Sequence, residues 1–270
     1  AKTEGIKREE RPSRNTSKSD FLFSVNESQR LIYEQNCPKV VVSRIKNCSS
    51  NKTPGRVFED LVNHYPQAFR YLFYHPSAGL WLAATPELLF QYDNGILSTA
   101  ALAGTKDINA TDSWGNKELE EHRYVSDFIR GRLKELKPSQ FNERGPFTVA
   151  AGPVCHLKTL FKAEVRSAIN WEAFTSGLHP TPAISGSPMK KAQQIIKQVE
   201  EHDRSYYCGY IGPISNSTNE VNLFVNLRCL NWQSASAIQL YLGCGITAQS
   251  DAEQEWEETE LKAQTLQRFL

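Results

Sequence analysis

Short apolar runs separated by turn residues recur along this chain, and they limit the folds that it can form. The runs are rich in Val, Ile, Leu and aromatic residues, and they span residues 39–45, 69–74, 80–84, 88–92, 147–151, 206–211, 221–230 and 235–242. Each has the length and composition of a β-strand. Apolar residues at helical spacing predict three long helices, over about 116–136, 189–202 and 251–270. Because the helices interrupt the strands irregularly, the pattern indicates an α+β fold with large antiparallel sheets.

Composition narrows the class of protein. The 270 residues are 40% hydrophobic and 23% charged, which is enough for a sizeable core. A net charge of +1 gives no electrostatic reason to expect binding to nucleic acid or to an anionic membrane surface. No apolar run reaches the roughly 18 residues that a membrane-spanning helix needs.

The first 20 residues are polar and lack the apolar segment of a secretory signal. We therefore expect residues 1–20 to be a disordered lead-in and residues 21–270 to form the folded domain. The six cysteines are scattered and include no C-x-x-C pair. They predict free thiols in a reducing cytoplasm and argue against a zinc cluster.

A glycine-bracketed turn follows the last apolar run, in the segment Gly243-Cys244-Gly245-Ile246-Thr247. Backbone N–H groups in such a turn, close to a helix N-terminus, can bind an anion. The helix that follows carries Lys262, a cationic side chain that could reach the same anion.

Two predicted helices each carry a pair of carboxylates three residues apart. These are Glu118 and Glu121 on the first helix, and Glu255 and Glu258 on the last. Ligand sets made only of oxygen atoms suit Mg²⁺, so the four glutamates are candidate metal ligands. The alternative is that these glutamates lie in the solvent-facing first turns of the helices and complement the helix dipole. The spacing alone favours this alternative over a metal site.

Lys39 and Glu87 are candidate acid–base groups. Lys39 begins a strongly apolar run, where desolvation would lower its pKa and make it a base, although a lysine protecting an edge strand is an equally simple explanation. Glu87 follows Pro86 among apolar residues that would raise its pKa and make it an acid, although it also fits an ordinary turn carboxylate.

Several further residues are candidates for binding an anionic ligand. Arg228 interrupts an apolar run and needs an anionic partner if it is buried. Tyr207 offers a hydroxyl, and Gly104 before Thr105 either permits close approach of a ligand or makes a simple turn. His179 opens a loop rich in proline and glycine, HPTPAISG.

Taken in order, these segments resemble the chorismate-utilising enzymes, which include isochorismate, salicylate and anthranilate synthases. The resemblance runs from about residue 39 to the C-terminus. The segments that carry it are KVVVSR, ATPELL, ALAGT, the E-x-x-E-H helix, HPTPAISG, RSYYCGYIGP, VNLR, GCGIT and EWEETELK. Each is weak alone, but the ordered set is specific. It implies large antiparallel sheets with helices on the outside, and it makes residues 21–270 a chorismate-binding catalytic domain.

Two positions indicate the subfamily. The chain resembles isochorismate and salicylate synthases in having a lysine at position 39, where anthranilate synthases usually have glutamine. It reads A-L-A-G-T at residues 101–105, whereas anthranilate synthases typically read P-I-A-G-T and aminodeoxychorismate synthases P-I-K-G-T. Ala103 therefore replaces the lysine nucleophile of the latter group, and the resemblance implies addition of water rather than of an amine.

The resemblance also implies roles for the candidate residues. Lys39 would be the general base that activates water for attack at C2 of chorismate, and Glu87 the general acid that protonates the departing C4 hydroxyl. Mg²⁺ would be held by Glu121 and Glu258, with Glu118 and Glu255 acting through water. The substrate-binding residues would be Gly104, Thr105, His179, Tyr207, Arg228, Gly243, Gly245, Ile246 and Lys262.

The expected protein is thus a cytoplasmic, Mg²⁺-dependent, monomeric isochorismate synthase that feeds menaquinone or siderophore biosynthesis. A salicylate synthase, which would also eliminate pyruvate, and a non-catalytic chorismate-binding relative remain alternatives. The chain departs from the family at Glu118, where an aspartate is common, and at Leu119, where an arginine is common. It also lacks most of the N-terminal region of full-length relatives, so we expect either a compact variant or a truncated form.

Overall fold

The computed structural model describes residues 15–151, 154–166, 168–215 and 219–270, and these form two antiparallel sheets with helices packed against them. The first sheet has the strand order β2-β3-β12-β13-β1-β8. Its strands are β1 (Lys39–Cys48), β2 (Phe69–His75), β3 (Gly79–Thr85), β8 (Gly186–Ser187), β12 (Cys229–Ser234) and β13 (Ala237–Ile246). At its centre β1 pairs with β13, so that Val40 lies opposite Ile246 and Ser43 opposite Gly243.

The second sheet has the order β10-β11-β4-β5-β7-β6, and β9 pairs with β11 beside it. Its strands are β4 (Leu88–Asp93), β5 (Ile96–Asp107), β6 (Gln140–Ala151), β7 (Val154–Glu164), β9 (Tyr210–Ile211), β10 (Ile214–Ser215) and β11 (Glu220–Val225). A register shift between Ala103 and Thr105 interrupts the pairing of β5 with β7. Gly104, at the shift, has φ +74°, and a Cβ there would lie 3.2 Å from the Glu118 carbonyl oxygen. Both facts favour glycine at this position.

The helices are α1 (Lys18–Glu34), α2 (Pro54–His64), α3 (Asn116–Glu135), α4 (Trp171–Leu178), α5 (Met189–Val199) and α6 (Ala252–Gln267). No helix in the described ranges is long and apolar enough to cross a membrane. The three predicted helices are confirmed as α3, α5 and α6, although α5 stops before Glu200, which has extended backbone. Residues 1–14 of the predicted lead-in lie outside the described residues, and its last three residues, 18–20, already belong to α1.

The core has three parts. Between the two sheets, Trp81 and Tyr241 of the first sheet belong to the same buried cluster as Phe90 and Phe161 of the second. On the outer face of the first sheet, Phe21 of α1 and Ile195 of α5 pack on β1 and β13. Further along that face, α2 and α6 cover β3, β12 and β13. The antiparallel α+β fold predicted from the sequence is therefore confirmed.

Two predicted strands are wrong in part. The run 221–230 is not one strand, because the chain leaves the second sheet after Val225 and enters the first at Cys229. Arg228 lies in this crossing segment with φ 47°, a left-handed conformation that no strand adopts. The run 206–211 is a strand only at Tyr210–Ile211, because residues 205–208 form a turn.

Candidate active site

An open cavity of about 700 Å³ lies where the two sheets meet. The first sheet contributes Val41, Gly243 and Gly245, and the second contributes the segment 102–105 and His156. Loops and helices complete its lining with Glu87, Glu121, Ala183, Ile184, Tyr207, Arg228 and Lys262. Nine of the sequence-predicted site residues thus line one cavity: Glu87, Gly104, Thr105, Glu121, Tyr207, Arg228, Gly243, Gly245 and Lys262.

Lys39, the first residue of β1, is completely buried beside this cavity. Its Nζ lies 3.1 Å from Glu121 Oε1, close enough for an ion pair but without the geometry of a hydrogen bond. Burial lowers the pKa of Lys39, and the negative charges of Glu121 and Glu87 oppose that effect only in part. A lysine in this setting can exist as the neutral amine that a general base requires.

Glu87 lies in the turn between β3 and β4 and is 8% exposed. Its backbone anchors the turn, because Val225 N–H donates to the Glu87 carbonyl oxygen at 2.9 Å. Burial raises the pKa of Glu87 to about 7, although the charges of Lys39, Lys262 and Arg228 act in the opposite direction. At neutral pH the carboxyl group can therefore hold a proton and release it, as a general acid must.

Three of the four predicted metal ligands contact a lysine. Glu121 lies beside Lys39, the Lys117 Nζ is 2.7 Å from Glu255 Oε1, and the Lys262 Nζ is 2.5 Å from Glu258 Oε1. Glu118 lies farther from its nearest lysine, with 4.0 Å between Lys117 Nζ and Glu118 Oε1. Within the described ranges, no three His, Cys, Asp or Glu side chains are grouped closely enough to hold a metal ion.

The donor set nevertheless fits a hard cation. Glu255 is 1% exposed, and its Oε2 is buried without a hydrogen-bond partner. Glu121 Oε1 faces Gly245, where a Cβ would lie only 2.2 Å from that oxygen, so glycine leaves room for the carboxylate. Oxygen ligands of this kind are those that Mg²⁺ prefers. Burial favours the neutral form of Glu258, but the charges of Lys262 and Lys117 keep its pKa below the ordinary value.

Arg228 brings a guanidinium group to the cavity. One guanidinium nitrogen donates to Thr265 Oγ1 at 2.8 Å, and another lies 3.3 Å from His156 Nε2. Arg228 makes no ion pair with any carboxylate in the part of the chain that the structure describes. Tyr207 lies close to Gly243, where a Cβ would be 2.7 Å from the phenolic oxygen. Burial raises the pKa of Tyr207, so it offers a neutral hydroxyl.

His156 is a cavity residue that the sequence reasoning missed. Its Nδ1 lies 3.0 Å from the Gly104 carbonyl oxygen. Because a carbonyl oxygen can only accept a hydrogen bond, Nδ1 carries the proton and donates it. Nε2 then has a lone pair that can accept a hydrogen bond from the Arg228 guanidinium. Burial, with the charges of Arg228 and Lys262, lowers the pKa of His156 to about 3 and keeps the ring neutral. A histidine within an apolar strand could have identified His156 as a candidate site residue, but β7 was not among the predicted strands.

Two predicted substrate-binding side chains do not line the cavity. The ring of His179 hydrogen-bonds to the Cys208 carbonyl oxygen at 2.7 Å through Nε2 and packs edge-on against Tyr210. It braces the turn that carries Tyr207. Ile246 is completely buried in the cluster of β1, β13, α1 and α5.

The chain is similar to known proteins in both sequence and structure. Isochorismate synthase EntC of Escherichia coli (strain K12) is 29% identical over 240 residues, which cover 84% of this chain and 61% of that protein. The chain thus spans about three fifths of the length of this relative. Among solved structures, DhbC from Bacillus anthracis has a TM-score of 0.86 at 24% identity, covering 94% of this chain and 72% of the other.

MenF, the menaquinone-specific isochorismate synthase from Escherichia coli, has a TM-score of 0.77 at 26% identity, covering 94% of this chain and 61% of the other. These structures share the fold, with large antiparallel sheets and helices outside them. The profile described as "chorismate binding enzyme" matches residues 2–270, which is nearly the whole chain. The chain belongs to the family of chorismate binding enzymes.

Proposed function

We propose that this chain carries the catalytic domain of an isochorismate synthase, which isomerises chorismate to isochorismate. The observation that carries the proposal is the pair of buried groups with opposite pKa shifts beside one cavity. Burial lowers the pKa of Lys39 and raises that of Glu87 to about 7. Two titratable groups whose environments move their pKa values in opposite directions are typical of an acid–base pair.

In the proposed reaction, the neutral amine of Lys39 accepts a proton from water as the water oxygen bonds to C2 of chorismate. The ring double bonds shift, the bond between C4 and its hydroxyl breaks, and protonated Glu87 donates a proton to that oxygen, which leaves as water. Lys39 ends as the ammonium and Glu87 as the carboxylate, so one proton must return from the lysine side to Glu87 before the next turnover. No oxidant or reductant is consumed.

The metal-binding part of the proposal assigns Mg²⁺ to Glu121 and Glu258, with Glu118 and Glu255 acting through water. When bound, the cation would neutralise and orient the ring carboxylate of the substrate. The second carboxylate of chorismate would pair with Arg228, assisted by the Tyr207 hydroxyl and the Lys262 ammonium. The backbone of residues 243–246 would complete the anion site, although these residues form the end of strand β13 and not the turn predicted from the sequence. His156 would hold the Arg228 guanidinium in position through its Nε2.

Addition of water rather than of ammonia is supported by Lys39 and by Ala103 in the segment ALAGT. A buried lysine supplies the base that water needs, and alanine at position 103 removes the lysine nucleophile of aminodeoxychorismate synthases. The relatives matched above are named isochorismate synthases. The product would then serve menaquinone or siderophore biosynthesis.

The test is incubation of the purified chain with chorismate and Mg²⁺, followed by chromatographic separation of the products. Isochorismate as the accumulating product supports the proposal. Salicylate with pyruvate would identify a salicylate synthase instead. Unchanged chorismate, together with binding of chorismate in calorimetry, would identify a non-catalytic chorismate-binding relative.

A further inference from the structure

The glutamates of α3 and α6 are accessible from two sides. Glu121 faces the cavity described above, whereas Glu118, Glu255 and Glu258 line a second opening on the outer side. We call this opening the outer acidic cleft; Lys117, Glu253 and Glu257 also line it. Thr105 lines both openings, so only a thin wall separates the cleft from the cavity.

Carboxylates in the outer acidic cleft range from exposed to buried. Glu253 and Glu257 are exposed, whereas the side chain of Glu255 is 2% exposed. A cleft with acidic groups along its length attracts small cations and concentrates them at its inner end. The inner end is where Glu255 keeps one oxygen, Oε2, buried without a hydrogen-bond partner.

Lys117 already places a positive charge at that inner end. Its Nζ lies 2.7 Å from Glu255 Oε1, and its side chain is 17% exposed. The amine nitrogen also lies 4.0 Å from Glu118 Oε1, so Lys117 is close to two of the four proposed metal ligands.

We propose that Lys117 is a tethered counter-ion of this acidic cluster, which a divalent cation entering through the outer acidic cleft displaces. The inference rests on the proposed metal-dependent function, because it concerns the same glutamates. A cation that is bound to Glu255 would repel the Lys117 ammonium, because the two positive charges would be at contact distance. In a partly buried site this repulsion is poorly screened. Lys117 is the second residue of α3 and lines the outer acidic cleft, so its flexible side chain can turn into that opening.

Displacement has a measurable consequence, because breaking the pair of Lys117 with Glu255 reduces the net affinity for the cation. The probe is Mn²⁺ alone, with free Mn²⁺ followed by electron paramagnetic resonance in the absence of chorismate. Lys117→Met removes the charge and keeps the length of the chain. We expect it to bind Mn²⁺ on the order of tenfold more tightly than the wild type.

Two variants serve as controls. Lys117→Arg keeps the charge, so it should bind Mn²⁺ no more tightly than the wild type. Lys190→Met removes one positive charge from an exposed position on α5 and should leave the affinity unchanged. Equal or weaker binding by Lys117→Met than by the wild type would overturn the inference.

A second measurement uses the wild type only and does not depend on the folding of a variant. Acetylation of lysines by an N-hydroxysuccinimide ester is followed by mass spectrometry with and without Mg²⁺. We expect the cation to increase acetylation of Lys117 at least about twofold while that of Lys190 stays constant, because displacement exposes the amine. Unchanged or reduced labelling of Lys117 in protein that binds the cation contradicts displacement and leaves the proposed function intact. If neither the wild type nor Lys117→Met binds Mn²⁺, both the inference and the metal dependence of the proposed function fail.

Discussion

Lys39 Nζ and Glu121 Oε1 lie 3.1 Å apart, although the lysine side chain is fully buried and the glutamate side chain is only 10% exposed. The pair joins the first residue of β1 to helix α3. Glu121 is at once the nearest counter-charge of the proposed base and a proposed metal ligand. One carboxylate therefore links the two halves of the proposed chemistry, proton transfer and charge neutralisation.

Removal of either acid–base group should abolish most of the activity. We expect Lys39→Ala and Glu87→Gln each to lower kcat by a factor on the order of 10² or more, as for positioned acids and bases. The measurement is the rate of isochorismate formation, with circular dichroism to establish that each variant is folded. Lys190→Ala, at an exposed position, is the matched control. A rate close to that of the wild type would remove the residue from the mechanism.

Glu87 should make the free energy of unfolding depend on pH. Its pKa is raised from 4.5 to about 7 in the fold, so the folded state favours the protonated form. This stabilisation is complete below about pH 4.5 and is lost as the pH rises through about 7. Glu87→Gln cannot ionise, so at pH 8 it should be more stable than the wild type by roughly 1–3 kcal/mol.

Urea unfolding of Glu87→Gln and the wild type at pH 5 and at pH 8 measures this difference. A stability difference that is the same at both pH values would show that Glu87 does not titrate in this range. The same titration should lower kcat/KM of the wild type above pH 7, because the proposed acid must be protonated.

The choice of nucleophile should depend on Lys39. Water needs a base, whereas ammonia does not, so Lys39→Gln should lose isochorismate formation and gain a weak aminated product in high ammonium. The wild type in the same buffer should form mainly isochorismate. Preferential formation of anthranilate or an aminodeoxychorismate by the wild type would contradict the interpretation of Lys39 and of residues 101–105.

Activity should require a hard divalent cation. We expect EDTA to abolish turnover and Mg²⁺ to restore it without added zinc, since the proposed ligands are oxygen atoms only. Glu258→Gln should weaken Mg²⁺ binding measured by calorimetry, because it removes one anionic ligand. Full activity in rigorously metal-free buffer would exclude the site proposed on Glu121 and Glu258.

Gly245 should tolerate no side chain. A Cβ at this position would lie 2.2 Å from Glu121 Oε1 and 3.2 Å from Lys39 Cε, so Gly245→Ala must move the proposed base or the proposed metal ligand. We expect at least about a tenfold loss of kcat/KM, since small displacements of reacting groups are costly.

Gly131→Ala is the matched control. Gly131 is exposed on α3 with no atom within 4 Å of the added Cβ, and the change should stabilise the helix by roughly 0.5–1 kcal/mol. Wild-type kinetics for Gly245→Ala would show that the groups beside it can move without consequence.

Much of the fold and of the site was predictable because local patterns agreed with tertiary packing. Lys39 and Glu87 were identified by their apolar neighbours, and those neighbours do bury them. The paired carboxylates were identified by helical spacing, which α3 and α6 preserve. What the sequence did not indicate is that Lys39 lies beside Glu121 and Lys117 beside Glu255, because these two contacts join distant segments. The contact of Lys262 with Glu258 is local, since the two residues are four apart on α6.

Other errors have local causes. His156 was missed because β7 was not recognised as a strand. The apolar run 221–230 predicts a single strand, because an apolar pattern does not indicate the backbone conformation of Arg228. Arg228 has a positive φ and lies where the chain crosses from one sheet to the other. Helix α1 was missed because its polar first turn resembles the lead-in that precedes it, although Phe21 and Val25 are fully buried.

The pairing of β1 with β13 also constrains when the site can form during synthesis. Val40 lies opposite Ile246, so strands roughly 200 residues apart in sequence are neighbours at the centre of the first sheet. Lys39 and Gly245, where an added Cβ would lie 3.2 Å from the lysine Cε, cannot come together until almost all of the domain has left the ribosome. Non-local contacts of this kind slow folding. A nascent chain that ends before residue 237 lacks β13, so β1 would have only the short strand β8 as a neighbour and would leave its other edge open to aggregation.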